Sequence, residues 1–340
     1  MMRMSREAAA LCEILREAGG AAVLEEAIAD SLALTISAVR GVVRLLEEEG
    51  FVIDTSRRGA YSLGSMPEYD LSLSCIGSLL RSAGLRSPEV FLFETLRSTQ
   101  EMAKEIGRGS PEGEVVVFAE EQTGGRGRRD RRWISPRGAG LFFSVFHRPG
   151  IAPGRVQLIS LAAGLAVRDA VKSLFSLELS LKWPNDLLRE GRKACGILAE
   201  ASSIGGGLLD CCTGMGINIR RPATACAGGE NILKEAFFLC DEVSPVHRGE
   251  LAVAILQRFF DLIARLEVDG GRSLLSLYRD ACFTLGREVT VIVDEGAVQG
   301  RAIAVGENGE LVVSTENGEM QFCAADVIHA TPASHKGAYI

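Results

Sequence analysis

Ala119-Glu-Glu-Gln-Thr-Gly-Gly-Arg-Gly-Arg-Arg-Asp-Arg-Arg-Trp133 carries five arginines and three glycines between an apolar run and a tryptophan. Glycine lets a backbone approach an anion, and arginine supplies a rigid fork of donors. This composition resists regular structure until a ligand orders it. A solvated basic loop is the plain alternative, but the interleaving is denser than solubility needs. Val115–Ala119, just before it, reads as a strand.

Outward from this loop, from Glu89 to about Asp280, strand and helix patterns alternate. Val90–Phe93, Leu141–Phe146 and Leu177–Lys182 predict strands. Arg192–Ser202 and Leu208–Ile217 predict longer ones, linked through Gly205-Gly206-Gly207. Thr99–Ile106, Val156–Phe175 and Gly249–Leu266 fit helices, giving an α/β or α+β domain of about 190 residues. Beyond Leu285, four short β runs (Val289–Val293, Gly300–Val305, Glu310–Thr315, Met320–Cys323) are separated by turn pairs such as Asn308-Gly309 and Asn317-Gly318. That spacing predicts a small β-barrel.

Upstream, Ala8–Ala18 and Val23–Ala29 are amphipathic helix candidates with Gly19-Gly20 between them. Thr35–Glu49 follows, with Ile36, Val39, Val43 and Leu46 on one face, and Gly50 stops it. Phe51–Asp54 and Ala60–Leu63 predict a hairpin whose tip, Thr55-Ser56-Arg57-Arg58-Gly59, is basic. Three helices and a basic hairpin make a winged helix-turn-helix. Gly64–Pro88 is a Ser-rich connector with one helix around Cys75–Ser82. The chain thus divides into a DNA-binding unit at 1–65, a linker at 66–88, a catalytic domain at 89–283, a barrel at 284–331 and a tail at 332–340. It is a multidomain α+β protein.

Three further segments carry chemistry. Lys182-Trp-Pro-Asn-Asp186 groups a cation, an amide and a carboxylate at a sharp turn, suited to a nucleotide triphosphate with Mg²⁺. A Pro–Asn β-turn is its structural alternative. Arg192-Lys193-Ala-Cys-Gly196 brings a lysine into an apolar strand, as a charge for a ligand or as a strand-end snorkel. Thr213-Gly214-Met-Gly216-Ile-Asn218 bares one face of a strand for a flat ligand, unless it marks a bulge. A GxxxxGK[ST] loop is absent. Gly125-Arg-Gly127 and Gly214-Met-Gly216 are incomplete or misplaced as GxGxxG, and the four histidines lack metal-ligand spacing.

Composition narrows the class further. With 47% hydrophobic and 24% charged residues, the 340-residue chain can bury a real core. Its net charge of −7 requires that any nucleic-acid contact come from a local basic surface. Residues 1–65 hold seven basic and ten acidic side chains, so the useful cations there are Arg40 and Arg44 on the third helix and Arg57 and Arg58 on the hairpin. Nine cysteines without a CxxC pair suit free thiols in a reducing cytoplasm. No apolar run is long enough to span a membrane.

EEQTGGRGRRDRRW, KWPNDLL, GRKACGILAE and GMGIN, in that order, closely resemble the biotin protein ligase family. With Arg97-Ser-Thr-Gln100, the C-terminal β module and the winged-helix start, the resemblance spans nearly the whole chain and points to the repressor-ligase subclass. It implies a biotin/lipoate-ligase-type central domain and an SH3-like C-terminal barrel. It also implies activation of biotin with ATP to biotinyl-5′-AMP, transfer to a lysine of a biotin carboxyl carrier protein, and operator binding by a homodimer formed when biotinyl-AMP is bound. By the same resemblance Ser98, Thr99, Gln100 and Gln122 meet biotin's ring and tail, and Arg126, Gly127, Arg128 and Lys193 fix its carboxylate. Gly196, Gly214 and Gly216 floor the pocket. Lys182 and Lys193 neutralise the reacting phosphate. Arg128, Arg131, Trp133, Lys182, Asn185 and Asn218 hold ATP, and Asp186 faces Mg²⁺. A lipoate-ligase-like enzyme and a biotin sensor without ligase activity are the rival readings. Departures from the family pattern are Arg97 for an acidic residue, Gln100 for Asn, Asp130 for Gly, and Ala324-Ala325-Asp326 for Gly-Gly-Glu.

Overall fold

The computed structural model describes residues 2–66, 71–85, 88–110, 113–205, 208–222, 235–293, 296–323 and 325–329. The expected Gly206-Gly207 link, parts of the 66–88 linker, Ala324 and the tail lie outside the described residues.

The N-terminal unit contains β1 (Met2–Arg3), α1 (Arg6–Glu17), β2 (Val23–Leu24), α2 (Glu25–Leu32), α3 (Ile36–Glu48), β3 (Val52–Asp54) and β4 (Ala60–Ser65). Ser5 and Thr35 cap α1 and α3 by accepting from the amides of Ala8 and Ala38, which satisfies donors the first turn leaves open. Leu11, Leu15, Ile28, Val39, Val43, Leu46 and Phe51 form its core. Ile36, expected on that buried face, is exposed in the first turn of α3. The expected helix at Val23–Ala29 starts two residues later, because Val23 and Leu24 pair with Tyr61 and Ala60 of β4. The resulting small sheet has the order β2-β4-β3.

After α4 (Leu73–Ser82), the central domain runs through β5 (Glu89–Leu96), α5 (Thr99–Gly109), β6 (Val115–Gln122), β7 (Gly140–His147), α6 (Val156–Phe175), β8 (Ser180–Lys182), β9 (Asp186–Arg189), β10 (Arg192–Gly205), β11 (Leu208–Asn218), α7 (Arg248–Asp269) and α8 (Arg272–Ala281). The sheet order is β1-β5-β6-β7-β11-β10-β9-β8, with β5 and β6 parallel and the other pairs antiparallel. Alternate residues of β6 point to opposite faces. Val116 and Phe118 enter the large core with α6 and α7, while Val115 and Val117 join a smaller cluster with Ala103 of α5.

Two connections were not evident from the sequence. β1 adds to the edge of the catalytic sheet through Met2↔Leu92 and Arg3↔Phe91. α1 also crosses α4 at Gly77, where a Cβ would stand 2.6 Å from that of Ala9. That approach tolerates only glycine.

The C-terminal unit comprises β12 (Glu288–Val293), β13 (Gly296–Val305), β14 (Leu311–Thr315), β15 (Gly318–Phe322) and β16 (Asp326–His329), in the order β15-β14-β13-β12-β16. Gly309 and Gly318 take positive φ at the predicted turns. The expected closed barrel is instead an open sheet: among the described residues its edge strands, β15 and β16, do not pair. Trp183 Nε1 donates to Gly309 O at 2.8 Å, tying this sheet to the catalytic domain. No described helix is long and apolar enough to cross a membrane.

Candidate active site

β5 ends at Leu96 and α5 begins at Thr99, so Ser98, Thr99 and Gln100 are delivered, buried, at one strand end. Thr99 donates from its amide and its hydroxyl to Gln122 Oε1 at 2.9 and 3.1 Å, and Gln122 Nε2 donates to Ser135 Oγ at 2.9 Å. Ser144 of β7, a residue the sequence did not single out, lies 2.8 Å from the Thr99 hydroxyl and donates to Gln100 Oε1 at 3.2 Å. Gln100 Nε2 reaches Leu198 O, Cys212 O and Glu200 Oε2 at 3.1, 2.9 and 2.9 Å. An amide has two hydrogens, so three acceptors leave Gln100 no spare donor. Gln100 therefore stitches α5 to the β10–β11 hairpin. It also explains Gly214, where a Cβ would stand 2.6 Å from Gln100 Oε1.

Gly196 and Gly216 are cross-strand partners in β10 and β11. The Trp133 indole lies across both: Cβ atoms there would meet Trp133 at 2.8 and 2.5 Å. The glycine face that the sequence reading offered to a flat ligand is covered at Gly216 by the chain's own indole, and Gly214 faces Gln100. Lys193 Nζ stands 5.2 Å from the centre of the Trp133 ring and 2.8 Å from Asp186 Oδ1. Asn218 Nδ2 donates to Lys193 O and Asn185 Nδ2 to Ile197 O, both at 2.9 Å. Both asparagines therefore hang from β10. Trp133, Ile134, Phe142 and Phe238, with Lys193 and Asn218, line a cavity of about 120 Å³. Trp133 Nε1 is buried with no partner among the described residues.

The arginine loop is held rather than free. Gly127 and Trp133 donate backbone bonds to Arg131 O and Gly125 O, and Gly125 has no room for a Cβ, which would meet Trp133 O at 2.5 Å. The C-terminal sheet supplies the rest. Arg128 donates to Ala325 O at 3.2 Å and, at 3.5 Å, to Asn185 Oδ1. Arg129 donates to Ile292 O at 3.2 Å, and Asp326 pairs with both Arg129 and Arg131. Arg126 faces Glu101 at 3.5 Å. Burial draws the Arg128 guanidinium below its ordinary value, and burial likewise lowers the Lys182 ammonium, against the opposing pull of Asp186. Lys182, Lys193, Arg128 and Arg131 thus converge on one polar edge beside the glycine floor, with Asp186 and Asp326 among them.

The four cations assigned to DNA lie in the N-terminal unit, apart from this cluster. Arg44, Arg57 and Arg58 are exposed. Arg40 is exposed as well but is held by Glu25, in a two-pronged pair at 2.9 and 3.1 Å in which Tyr61 also donates to Glu25. Sequence periodicity gives no sign of this pairing, nor of Ser135, Ser144 or the reach of Asp326.

The Biotin/lipoate A/B protein ligase family matches residues 92–218, and the Biotin protein ligase C terminal domain matches residues 284–329. A Biotin--[acetyl-CoA-carboxylase] ligase from Mycobacterium tuberculosis is 33% identical over 221 residues, covering 63% of this chain and 79% of that one. The chain belongs to the biotin protein ligase family. The Bifunctional ligase/repressor BirA of Bacillus subtilis is 27% identical over 320 residues, 93% of this chain and 97% of that one. Among solved structures, the biotin protein ligase from Aquifex aeolicus in complex with biotin and ATP has a TM-score of 0.60 at 26% identity, covering 71% of this chain and 99% of that one.

Proposed function

We propose that this chain is an ATP-dependent biotin protein ligase that also acts as a biotin-responsive repressor. It joins biotin and ATP into biotinyl-5′-AMP with release of pyrophosphate, then passes the biotinyl group to a lysine of a biotin carboxyl carrier protein. The observation that carries this reading is the Gly196–Gly216 floor under Trp133, rimmed by Lys193 and Asn218 and flanked by the loop arginines.

A carboxylate is a poor acyl donor, and its attack on the α-phosphate is promoted by positioning and charge stabilisation. Ser98, Thr99 and Gln122 hold the ureido end of biotin, with Gln100 bracing them from below. Arg126, Gly127, Arg128 and Lys193 orient the biotin carboxylate, and Lys182 and Lys193 offset charge at the reacting phosphate. Asn185, Asn218, Arg131 and Trp133 hold the nucleotide. The orphaned indole N–H and the apolar cavity beside it fit a flat heterocycle with acceptor nitrogens. Mg²⁺, when bound, neutralises phosphate charge, and one carboxylate such as Asp186 suits an ion held largely by phosphates and water. The second step requires only an incoming lysine amine, while the loop excludes water from the mixed anhydride.

The rest of the chain is divided as follows: a winged helix-turn-helix at 1–65, a linker at 66–88, the catalytic domain at 89–283, and an open SH3-like sheet at 284–331. Arg44, Arg57 and Arg58 meet operator phosphates, joined by Arg40 when Glu25 lets go. A homodimer formed with biotinyl-AMP bound carries two such units to two half-sites. The buried free thiols suit a reducing cytoplasm. The test is transfer of labelled biotin to a biotin carrier domain with ATP and Mg²⁺, with pyrophosphate measured in parallel. Transfer of lipoate in preference to biotin would overturn the substrate assignment, and biotin binding without pyrophosphate release would leave a sensor.

A further inference from the structure

Glu120 and Arg248 form an almost fully enclosed ion pair, with side chains 3% and 5% exposed. Arg248 Nη1 donates to Glu120 Oε2 at 3.1 Å, and Nη2 stands 3.0 Å from Oε1. The same Nη1 donates to Gly140 O at 3.1 Å. Glu120 lies two residues before the end of β6, and Gly140 is the first residue of β7. Everything between those strands is the arginine loop and its exit. The β6–β7 ladder ends at Ala119↔Phe142, so beyond that pair the two strands no longer hold each other. One guanidinium takes over at that point. It grips both roots of the loop from the first turn of α7, and on its other side Gly140 pairs with Asn218 of the nucleotide rim.

Stability alone does not account for this pair. Two buried charges lose their hydration, and replacing such a pair with apolar residues of similar volume is often neutral or stabilising. A cation in the first turn of a helix also opposes the helix dipole. What the pair supplies is geometry.

We propose that Glu120 and Arg248 are positioning residues that fix the spacing of the loop's two roots, and through Gln122 and Trp133 the closure of the arginine loop over the adenylate. The inference rests on the ligase reading above. Neither residue touches substrate.

The test compares the full chain with Glu120→Met/Arg248→Met, which removes both charges at similar volume, and with Glu120→Gln, which keeps an acceptor. Three readouts are taken: thermal melting, trypsin cleavage at the loop arginines without ligands, and labelling of a bystander protein by escaped biotinyl-AMP. The double variant is expected to melt like the parent and to be cut in the loop about tenfold faster. Its KM for ATP rises and it leaks adenylate, since displacements far from the chemistry cost up to about a hundredfold. Glu120→Gln is expected to lie between the two. A folded double variant with parental cleavage and retention overturns the proposal. So does failure of every variant to fold, which would make the pair a requirement of the core. If the parent itself makes no biotinyl-AMP, the ligase reading fails, while the ligand-free cleavage rates still judge the clamp.

Discussion

The loop at 126–132 and the N-terminal unit both depend on arginine, and they differ at Arg128, which burial draws out of water. Arg131, by contrast, is exposed and paired with a carboxylate much as Arg40 is. In the loop, Arg128 is half-buried against Ala325 O, and Arg129 and Arg131 are caught by Asp326 of another unit. In the N-terminal unit, Arg44, Arg57 and Arg58 stand in solvent, and Arg40 is neutralised at its own surface by Glu25. A charge withdrawn from water acts strongly over short distances, whereas an exposed one is screened within about 10 Å at 0.1 M salt. The first arrangement suits a small anion held in one geometry. The second suits a polyanion met by many weak contacts, each sensitive to salt.

The contrast is broken most directly at Lys193, which shares the polar edge with Lys182 and Arg128. Lys193→Ala is expected to cost on the order of 3 kcal/mol of transition-state stabilisation, about a hundredfold in adenylate formation. Pyrophosphate release under single-turnover conditions measures it. A parental rate would remove Lys193 from the reacting cluster.

Next in size is the latch between units. Asp326→Asn keeps the shape but removes the charge that holds Arg129 and Arg131, and about a tenfold rise in KM for ATP is expected, with some adenylate escaping to bystander lysines. Arg128→Gly should leak more, since it removes the inner contact itself. Restored retention in Asp326→Glu would mark the contact as charge-dependent. Equal labelling by Asp326→Asn and parent would mean that the C-terminal sheet only abuts the loop.

The pieces of this site that read from sequence were those with local signatures. Glycines at alternate strand positions, arginines dense in a loop, and Asn-Gly turns each act over a few residues, so Gly214, Gly216, the arginine loop and the hairpins of the last sheet were legible, whereas Gly196 and Trp133 came only with the family resemblance. The strand at Asp186–Arg189 was hidden because the Pro–Asn turn before it read as the end of β structure. The helix at Arg272–Ala281 was not expected; it starts directly after Gly270 and Gly271, both at positive φ. Pairings set by the tertiary fold had no local trace. Glu120 meets Arg248 across 128 residues, Asp326 meets Arg131 across 195, and β1 joins the catalytic sheet from the far end of the chain. Glu25 with Arg40 is the same failure at shorter range: helical spacing put Arg40 on the recognition face, and only the fold brings Glu25 beneath it.

Desolvation makes a third, smaller prediction. Burial lowers the Lys182 ammonium below the ordinary lysine value of 10.5, so its proton is lost earlier as pH rises. The alkaline limb of kcat/KM is therefore expected below the range of an exposed lysine, and Lys182→Arg, charged throughout, should move that limb upward. An unchanged limb would assign it to another group.

The smallest effect, and the sharpest test of the exposed side, concerns Glu25. Its carboxylate occupies both prongs of Arg40 and accepts from Tyr61, so one of the four cations proposed to meet DNA is already spent. Glu25→Gln removes the competing charge without changing the shape of the side chain. If Arg40 then meets a phosphate, one more counterion leaves the duplex on binding, and the slope of log K against log salt should steepen by about 0.9. The gain in affinity would be several-fold at low salt and would vanish as salt rises. Biotin and ATP together must be present, because two units joined in a dimer bind a duplex with an effective concentration that one acidic unit lacks. Mobility shifts over a salt series, for parent and variant with both ligands, give the two slopes. A steeper slope makes Glu25 a restraint on DNA binding. Parallel slopes would mean that Arg40 belongs to the fold of the N-terminal unit, leaving Arg44, Arg57 and Arg58 to carry its contact with DNA.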